Sequence, residues 1–318
     1  MRYYVGIDLG GTNIVASVVD ETFHIHSKAQ AKTRGMELPF EQVVKNIAST
    51  AREAVAQAGL TMADISSVGM GSPSVIHPKT GLLVHANNMG WRNVPLLEKL
   101  QSEFDCPVFI KNDADCAALG EVLAGSARDY ENALMITLGT GVGGGIILNK
   151  KIFNGCDNMG AELGHTKLVF GGVQCTCGQY GCLESYASAT GLIRQTKEAM
   201  AQHPDSSMHA LAKTPEDVDG QTAFEAARQG DAAAQTVVDR YIAYLAAGLS
   251  TFITIFRPDV IILGGGVANQ GKALLEPLQE VLYHSTFAAA EIGVPPVIVA
   301  ELGNDAGVIG AAMLEVSR

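Results

Sequence analysis

The sequence VFIKNDADCAALGE, residues 108–121, indicates where this chain places its chemistry. Residues 108–110 are apolar and typical of a buried strand, and residues 114–125 have the composition of a helix. Asn112 and Asp113 therefore stand at the end of a strand, where α/β folds commonly hold their reactive groups. One interpretation makes Asp113 the general base of a phosphoryl transfer. In the other, Asp113 and Asp115 merely cap the helix, since Asp is favoured at helix N-termini.

Length and charge narrow the classes of function. The chain has 318 residues, of which 47% are hydrophobic, enough for one large or two moderate domains with well-formed cores. Its net charge of −11 and its lack of long basic runs argue against nucleic-acid binding. A nucleotide ligand is compatible with this charge, because backbone N–H groups can hold phosphates without lysines.

The N-terminus and the hydropathy pattern bear on location. The first residues, MRYYVGIDLGGTN, are polar or charged where a signal peptide needs an apolar core. No apolar run reaches transmembrane length. We therefore expect a cytoplasmic protein that binds neither a membrane nor nucleic acid.

A turn with two glycines follows the first predicted strand. Residues 3–9 are β-rich, Gly10-Gly11-Thr12-Asn13 forms a turn, and residues 14–19 continue as a strand, so the pattern predicts a hairpin. Glycines leave backbone N–H groups accessible, which lets a phosphate approach the turn. Asp8, just before the turn, is placed to hold Mg²⁺ directly or through water. An ordinary hairpin with a solvated Asp8 explains the same residues.

The pattern of strand, glycine turn and strand occurs a second time. Residues 133–138 predict a strand, residues 139–145 have the sequence GTGVGGG, and residues 146–148 predict a further strand. The glycines match the dinucleotide-binding pattern G-x-G-x-x-G, but that motif requires a helix after it, so a Rossmann fold is rejected.

A third glycine run, Gly264 to Gly266, follows a strand predicted at 260–263. A near-match to the Walker A pattern begins at Gly266. We attribute it to chance, because Ala273 replaces the Ser or Thr that would bind Mg²⁺. Hydrophobic periodicity also predicts helices over 39–59, 94–104, 232–256 and 306–316, and an exposed connection over 204–220.

Four potential metal ligands lie close together in the sequence. They are His165, Cys175, Cys177 and Cys182, and the local sequence of the cysteines is CTCGQYGC. One His and three Cys form a complete tetrahedral Zn²⁺ set, which indicates a structural site with no open position. Reduced free thiols are the alternative. A zinc-folded loop would also bring Glu162 and Glu184 together, and carboxylates accept hydrogen bonds from the hydroxyls of a polyhydroxylated ligand.

These motifs together resemble the ROK family of sugar kinases, its bacterial glucokinases most closely, over essentially the whole chain. The strings that carry the resemblance are DLGGTN (8–13), GMGSP (69–73), NMGW (88–91), NDADCAALGE (112–121), LGTGVGGG (138–145), AELGH (161–165), CTCGQYGCLE (175–184), ILGGGV (262–267) and DAGVIGAA (305–312). The cysteine string after Glu-x-x-His is the most specific of them.

The resemblance implies an actin-like ATPase (ribonuclease H-like) fold, in which two α/β domains close over a central cleft. We expect residues 1–117, completed by the C-terminal helix 305–318, to form the smaller domain. Residues 118–304, with the zinc loop 165–184, would form the larger domain. A homodimer is the family expectation.

The resemblance also implies an ATP-dependent kinase that phosphorylates the 6-hydroxyl of a hexose, most of all glucose, with Asp113 as catalytic base. The sugar hydroxyls would be bound by Asn88, Asn112, Asp113, Glu162, His165 and Glu184. ATP and Mg²⁺ would be bound by Asp8, Gly10, Gly11, Thr12, Asn13, Gly139, Thr140 and Gly141, with Gly264, Gly265 and Gly266 near the adenosine. His165 would serve the sugar and the zinc through different ring nitrogens. On this interpretation Asp115, not Asp113, is the residue that caps the helix.

Two alternatives stay open. Ser74 stands near the sugar where many family members carry Gly, so a kinase of N-acetylmannosamine, N-acetylglucosamine or another hexose fits as well. A non-catalytic sugar-sensing protein is the other alternative. Family repressors carry a DNA-binding module ahead of this domain, and a strand that begins at Tyr3 is expected to leave no room for one.

Overall fold

The computed structural model describes residues 1–77, 80–86 and 89–317. The chain forms two compact units. The first comprises Met1–Ala133, Gly145–Ala161 and Ala300–Arg318, and the second comprises Leu134–Gly144 and Glu162–Val299. The domain limits predicted from the sequence stay a prediction; the first unit contains residues 118–133, 145–161 and 300–304 in addition to those assigned to the smaller domain.

The strands of the described residues form three sheets, with the orders β3-β2-β1-β4-β8, β11-β10-β9-β12-β13 and β5-β6-β7. In chain order they are β1 (Tyr3–Leu9), β2 (Asn13–Asp20), β3 (Ile25–Lys32), β4 (Ile65–Ser72), β5 (Val75–Ile76), β6 (Leu83–Ala86), β7 (Trp91–Val94), β8 (Val108–Asn112), β9 (Ala133–Leu138), β10 (Val142–Leu148), β11 (Lys151–Ile152), β12 (Val260–Gly264) and β13 (Val297–Val299).

The α-helices range from single turns to a helix of 25 residues. In chain order they are α1 (Phe40–Gln57), α2 (Leu96–Gln101), α3 (Asp113–Leu123), α4 (Glu184–Ala187), α5 (Ala189–Gln202), α6 (Met208–Leu211), α7 (Thr222–Arg228), α8 (Ala232–Phe256), α9 (Lys272–Ser285), α10 (Ala289–Ile292) and α11 (Asp305–Ala312).

The central sheet of the first unit brings three strand ends to one edge. β1 pairs antiparallel with β2, as the hairpin prediction required, and β1, β4 and β8 pair parallel with one another in that order. The carboxyl ends of parallel strands meet at the same edge of a sheet. In this register Asp8 lies beside Gly71, and Ser72 lies beside Asn112. Asp113 begins α3 directly after β8, so it stands at the same edge.

Helix α11 packs against this sheet and against α3 through glycines. A Cβ on Gly6 of β1 or on Gly69 of β4 would lie 1.8 or 1.7 Å from a carbonyl oxygen of α11. A Cβ on Gly310 would lie 1.7 Å from the carbonyl oxygen of Cys116 in α3. These distances are far below van der Waals contact, so each position requires glycine for this packing.

The second unit has a long buried helix at its core. One face of α8 buries Tyr241, Leu245 and Phe252. The hydroxyl of Tyr241 donates a hydrogen bond to the carbonyl of Ala187 at 2.7 Å, so its polar atom is satisfied inside the core. Strand β12 is buried along its whole length and pairs parallel with β13, which fits the continuous apolar pattern of a buried parallel strand.

Most elements predicted from the sequence are confirmed, and three predictions need correction. The last helix, predicted over 306–316, ends earlier, since α11 covers Asp305–Ala312. β1, β9 and α8 have the predicted bounds. The helix predicted over 94–104 is wrong at both ends: β7 extends to Val94, and α2 covers Leu96–Gln101. The connection predicted as exposed over 204–220 contains α6, whose Met208 is fully buried. Each helix of the described residues is too short or too polar to cross a bilayer.

Gly310→Ala tests the close contact between α11 and α3. Helix propensity alone favours the alanine by about 1 kcal/mol. The overlap with the carbonyl of Cys116 predicts the opposite, a loss of about 1–3 kcal/mol in the free energy of unfolding. Chemical denaturation measures that energy. Gly220→Ala is the matched control, because its Cβ would meet nothing closer than 4.0 Å. A Gly310→Ala protein as stable as the wild type would contradict this packing.

Candidate active site and metal centre

Asn112, and not Asp115, caps helix α3. The backbone of Asn112 is extended, and its side-chain oxygen accepts a hydrogen bond from the N–H of Ala114 at 2.8 Å. Asp115 is buried inside the first turn, and the amide of Asn154 donates to its carboxylate at 3.4 Å. The assignment of Asp115 as the cap is therefore wrong, because a buried side chain bonded to a neighbouring loop does not face the free N–H groups of the helix end.

Asp8 and Asp113 are two partly buried carboxyl groups, and Asp113 lies close enough to act on Asp8. Burial raises the pKa of Asp113 above its ordinary value of 3.8, although hydrogen bonds from backbone N–H groups, among them that of Ala114, oppose the rise. Burial, and then the charge of Asp113, raise the pKa of Asp8 in the same direction. Carboxylates in such a pair favour binding a proton or a cation.

The first glycine turn is held in a fixed shape. The N–H of Gly10 donates to the carbonyl of Asn13 at 2.9 Å, and the hydroxyl of Thr33 donates to the carbonyl of Gly10 at 2.7 Å. The amine of Lys32 donates to the side chain of Asn13 at 2.9 Å. Because the N–H of Gly10 is used inside the turn, a phosphate would be left to the later N–H groups, those of Gly11 and Thr12.

The second glycine turn has the same construction. The N–H of Gly139 donates to the carbonyl of Gly141 at 3.1 Å, and the hydroxyl of Thr190 donates to the carbonyl of Thr140 at 2.8 Å. A Cβ on Gly141 would lie 2.4 Å from the carboxylate of Glu184, so a larger residue here would displace that carboxylate. A strand, β10, follows this turn, which agrees with the rejection of a dinucleotide-binding motif.

The third glycine run ends β12 with a change of direction. Gly264 is the last residue of β12, and Gly265 has a positive φ of 82°. A Cβ on Gly265 would lie 2.6 Å from the backbone of Leu138, the last residue of β9. Gly266 begins a short 3₁₀ segment, and a Cβ there would meet nothing within 4 Å. Space for a ligand is therefore present at Gly266 and absent at Gly265.

The four predicted metal ligands come together in the second unit. The ligand atoms of His165, Cys175, Cys177 and Cys182 all lie within 4.8 Å of one another. The distance from His165 Nδ1 to the Cys175 sulfur is 3.6 Å, and the sulfurs of Cys177 and Cys182 are 3.8 Å apart. These spacings suit ligands around one tetrahedral Zn²⁺ with bonds of about 2.0–2.3 Å. None of these cysteines forms a disulfide.

Glu184 joins the cysteine loop to the second glycine turn. One carboxylate oxygen accepts the N–H of Val142 at 3.1 Å, and the other accepts the hydroxyl of Thr176 at 2.7 Å. Cys175 also lies 3.3 Å from this second oxygen. Burial alone would raise the pKa of Glu184, but these hydrogen bonds and the charge of His165 hold it below its usual value. Glu184 is therefore an ionised, fixed acceptor.

The predicted site residues are distributed between the two units. The first unit places Asp8, Gly10 to Asn13, Asn112 and Asp113 around the carboxyl edge of its sheet. The second unit holds the glycine turns at 139–141 and 264–266, the metal-ligand cluster, Glu162 and Glu184. The carbonyl of Glu162 accepts the N–H of His165 at 3.0 Å. Asn88 lies outside the described residues.

Several residues that shape the site were missed from the sequence. Thr33, Thr176 and Thr190 each fix a site turn or side chain with a hydroxyl. Thr176 stands inside the Cys175–Cys177 string, and that position was the one available signal. The others come from segments distant in the chain, so no local pattern identifies them.

The chain belongs to the ROK family, whose model matches residues 4–317. The protein has the actin-like ATPase fold of ROK kinases. A glucokinase of Halalkalibacterium halodurans is 37% identical over 315 residues, which cover 98% of this chain and 94% of that protein.

The solved structures that are similar to this chain include two ROK kinases. A ROK family glucokinase from Streptomyces griseus, in complex with glucose and AMPPNP, is 34% identical, with 98% of each chain covered and a TM-score of 0.77. The ROK hexokinase from Thermus thermophilus is also 34% identical, with 99% of each chain covered and a TM-score of 0.82. The family and the fold expected from the sequence are thus confirmed.

Cys177→Ser tests the metal centre. We expect the wild-type protein to contain about one zinc per chain and the variant to lose most of it, because a serine hydroxyl is a much poorer zinc ligand than a thiolate. Elemental analysis after gel filtration measures the zinc. Cys156→Ser is the control, since Cys156 is an exposed cysteine outside the cluster. A full zinc content in Cys177→Ser would contradict this ligand set.

Asp113→Asn tests the repulsion between the two carboxylates. A group with a raised pKa in the folded protein contributes stability below its unfolded value, here 3.8, and loses it as the pH rises through the folded value. We therefore expect Asp113→Asn to raise the free energy of unfolding at pH 7, and to raise it less at pH 4. Chemical denaturation at both pH values measures this, with the exposed Asp105→Asn as control. A variant less stable than the wild type at pH 7 would contradict the account.

Proposed function

We propose that this protein is an ATP-dependent glucokinase, which transfers the γ-phosphoryl group of ATP to the 6-hydroxyl of glucose. The observation that carries the proposal is the position of Asp113, a partly buried carboxyl with a raised pKa directly after β8, in a chain of the ROK family. The substrates named for the Streptomyces griseus relative, glucose and an ATP analogue, support the choice of sugar and nucleotide.

Asp113 acts as the general base. Its carboxylate accepts the proton of the 6-hydroxyl as the hydroxyl oxygen bonds to the γ-phosphorus, and the bond between that phosphorus and the oxygen of ADP breaks. A base is most effective when its pKa approaches the working pH, and burial shifts Asp113 in that direction. The neighbouring Asn112 is fixed by its cap and orients the sugar.

Backbone N–H groups hold the phosphates. The two glycine turns are rigid, and their side-chain-free positions let phosphate oxygens approach. Gly11, Thr12, Asn13, Thr140 and Gly141 would make these contacts, and Gly266 would lie near the adenosine. Asp8 would hold Mg²⁺, which, when bound, neutralises charge on the β- and γ-phosphates. The raised pKa of Asp8 shows that its negative charge is unfavourable without a partner, and a bound cation would stabilise it.

Glu162, His165 and Glu184 bind sugar hydroxyls. His165 directs Nδ1 towards Cys175, so Nδ1 is the nitrogen for Zn²⁺ and Nε2 is the nitrogen for the sugar. Glu184 is ionised and fixed by Thr176, which makes it a hydroxyl acceptor of defined direction. Zinc would therefore order the loop that positions both residues.

Ser74 bears on the choice of hexose. Its buried hydroxyl donates to Ser72 at 2.9 Å, and Ser72 lies beside Asn112 in the sheet register. Ser74 therefore does not decide the hexose, and a kinase of N-acetylmannosamine or N-acetylglucosamine is the second candidate.

Two further properties stay predictions. The homodimer rests on the family resemblance, and the cytoplasmic location is supported by the similarity to glucokinases. Sedimentation of the purified protein tests the first of them.

Asp113→Asn also tests the proposed chemistry. We expect kcat with glucose and ATP to fall by about a hundredfold or more, because the amide cannot accept the proton, while glucose affinity changes little. A coupled assay and a glucose titration measure the two effects. In the wild type, kcat/KM should fall on acidification at a pH above 3.8, the ordinary value for Asp. In the variant this fall should move to lower pH, because Asp8 still titrates but no longer experiences the charge of Asp113. Near-normal kcat in Asp113→Asn would overturn the assignment.

A further inference from the structure

A short antiparallel pairing in the second unit reaches the metal-ligand cluster. Lys167, two residues after the predicted ligand His165, forms an antiparallel bridge with Cys182. Next to this bridge the N–H of Leu183 donates to the carbonyl of Thr166 at 2.9 Å. Residues directly opposite each other in an antiparallel pair have their side chains on the same face. The pairing therefore places the Lys167 side chain beside one of the predicted zinc ligands.

Gly181 allows the two paired segments to approach each other. Its carbonyl accepts the N–H of Leu168 at 2.7 Å, and its φ of 73° lies in the left-handed region. A Cβ on Gly181 would lie 1.7 Å from the carbonyl oxygen of Val169. A larger residue would push the segments apart, so this glycine keeps Lys167 next to Cys182.

The amine of Lys167 contacts the sulfur of Cys182. Nζ donates to Sγ at 3.4 Å. In the part of the chain that the structure describes, this sulfur is the only hydrogen-bond or ion-pair partner of the amine. Cys182 is fully buried, whereas Lys167 is an exposed residue. The lysine thus brings a positive charge from the surface to a buried zinc ligand.

The charge of the metal centre gives this contact a purpose. The predicted ligands are one imidazole and three thiolates, so a bound Zn²⁺ leaves the centre with a net negative charge. A negative charge that is partly buried is unfavourable without a partner. Groups that donate hydrogen bonds to metal ligands hold those ligands in place, and their loss typically weakens metal binding by about 10–100-fold.

We propose that Lys167 is a positioning residue of the metal centre, whose ammonium group donates to the thiolate of Cys182 and compensates the negative charge of the zinc-bound cysteines. Lys167 acts through Cys182 and does not itself bind the ion. This inference rests on the zinc centre and goes beyond the proposed kinase activity, in which Lys167 has no part.

The rate of zinc release tests this role. Zinc passes from the purified protein to an excess of 4-(2-pyridylazo)resorcinol, and the absorbance of the coloured complex follows the transfer. Lys167→Met keeps a long apolar side chain and removes the charge and the donor, so we expect release to be about tenfold faster than in the wild type. Lys213→Met is the matched control, because it makes the same change at an exposed position of the second unit outside the cluster.

Lys167→Arg separates the charge from the shape of the side chain. Arginine keeps a positive charge and N–H donors, so we expect it to release zinc at close to the wild-type rate. Release from Lys167→Arg as fast as from Lys167→Met would overturn the role of the charge. Equal rates in Lys167→Met and the wild type would overturn the proposal as a whole.

The protein reconstituted with Co²⁺ supplies a spectroscopic test of the same contact. An N–H donor lowers the energy of the electrons on a thiolate. Lys167→Met should therefore move the sulfur-to-cobalt charge-transfer band to longer wavelength, and Lys213→Met should leave it in place. An unchanged band in Lys167→Met would contradict a hydrogen bond to the metal-bound sulfur.

Neither measurement requires turnover of a sugar, so a failure of the proposed kinase function would leave both results intact. A wild-type protein that binds no zinc would overturn this proposal together with the ligand set itself. Zinc bound with equal release rates would instead overturn the role of Lys167 alone.

Discussion

The proximity of two carboxyl groups, Asp8 and Asp113, is the physical constraint that shapes the site in the first unit. The parallel register of β1, β4 and β8 fixes them at one sheet edge, and glycine contacts hold α11 against the same strands. Burial and mutual repulsion raise the pKa of Asp8, and burial raises that of Asp113. Such a pair weakens the fold at neutral pH and is useful only where a cation and a proton donor bind. A kinase that holds Mg²⁺ at Asp8 and deprotonates a sugar at Asp113 gives both groups a role.

In the second unit, Glu184 is the charged group that organises the site. Its carboxylate is bonded to the glycine turn through Val142 and to the cysteine loop through Thr176. The ionised side chain of Glu184 thereby links the second glycine turn to the cysteine loop. A Cβ at Gly141 would displace this carboxylate. One side chain thus contacts both the second glycine turn and the cysteine loop.

Local sequence patterns correctly predicted the features that depend on interactions between residues near each other in the chain. The period-2 and continuous apolar runs identified β1 and β9, the long apolar face identified α8, and the cysteine spacing identified the metal-ligand cluster. Contacts between distant segments were not predictable in this way. Asp115 was taken for the cap because Asp is favoured at helix starts, but Asn154 from a later loop and burial decide its position. The glycine packing of α11 likewise depends on segments far apart in the chain.

The central claim is that a hydroxyl of glucose is phosphorylated, with Asp113 as the general base. The choice of sugar substrate tests this claim most directly. ADP release is measured with ATP and, in turn, glucose, mannose, fructose, allose, N-acetylmannosamine and N-acetylglucosamine, and the phosphorylated carbon is identified by NMR. The account predicts the highest kcat/KM with glucose and a phosphate on carbon 6. A preference for an N-acetyl sugar would contradict the assignment to glucose, and no turnover with any of the sugars would contradict the kinase function.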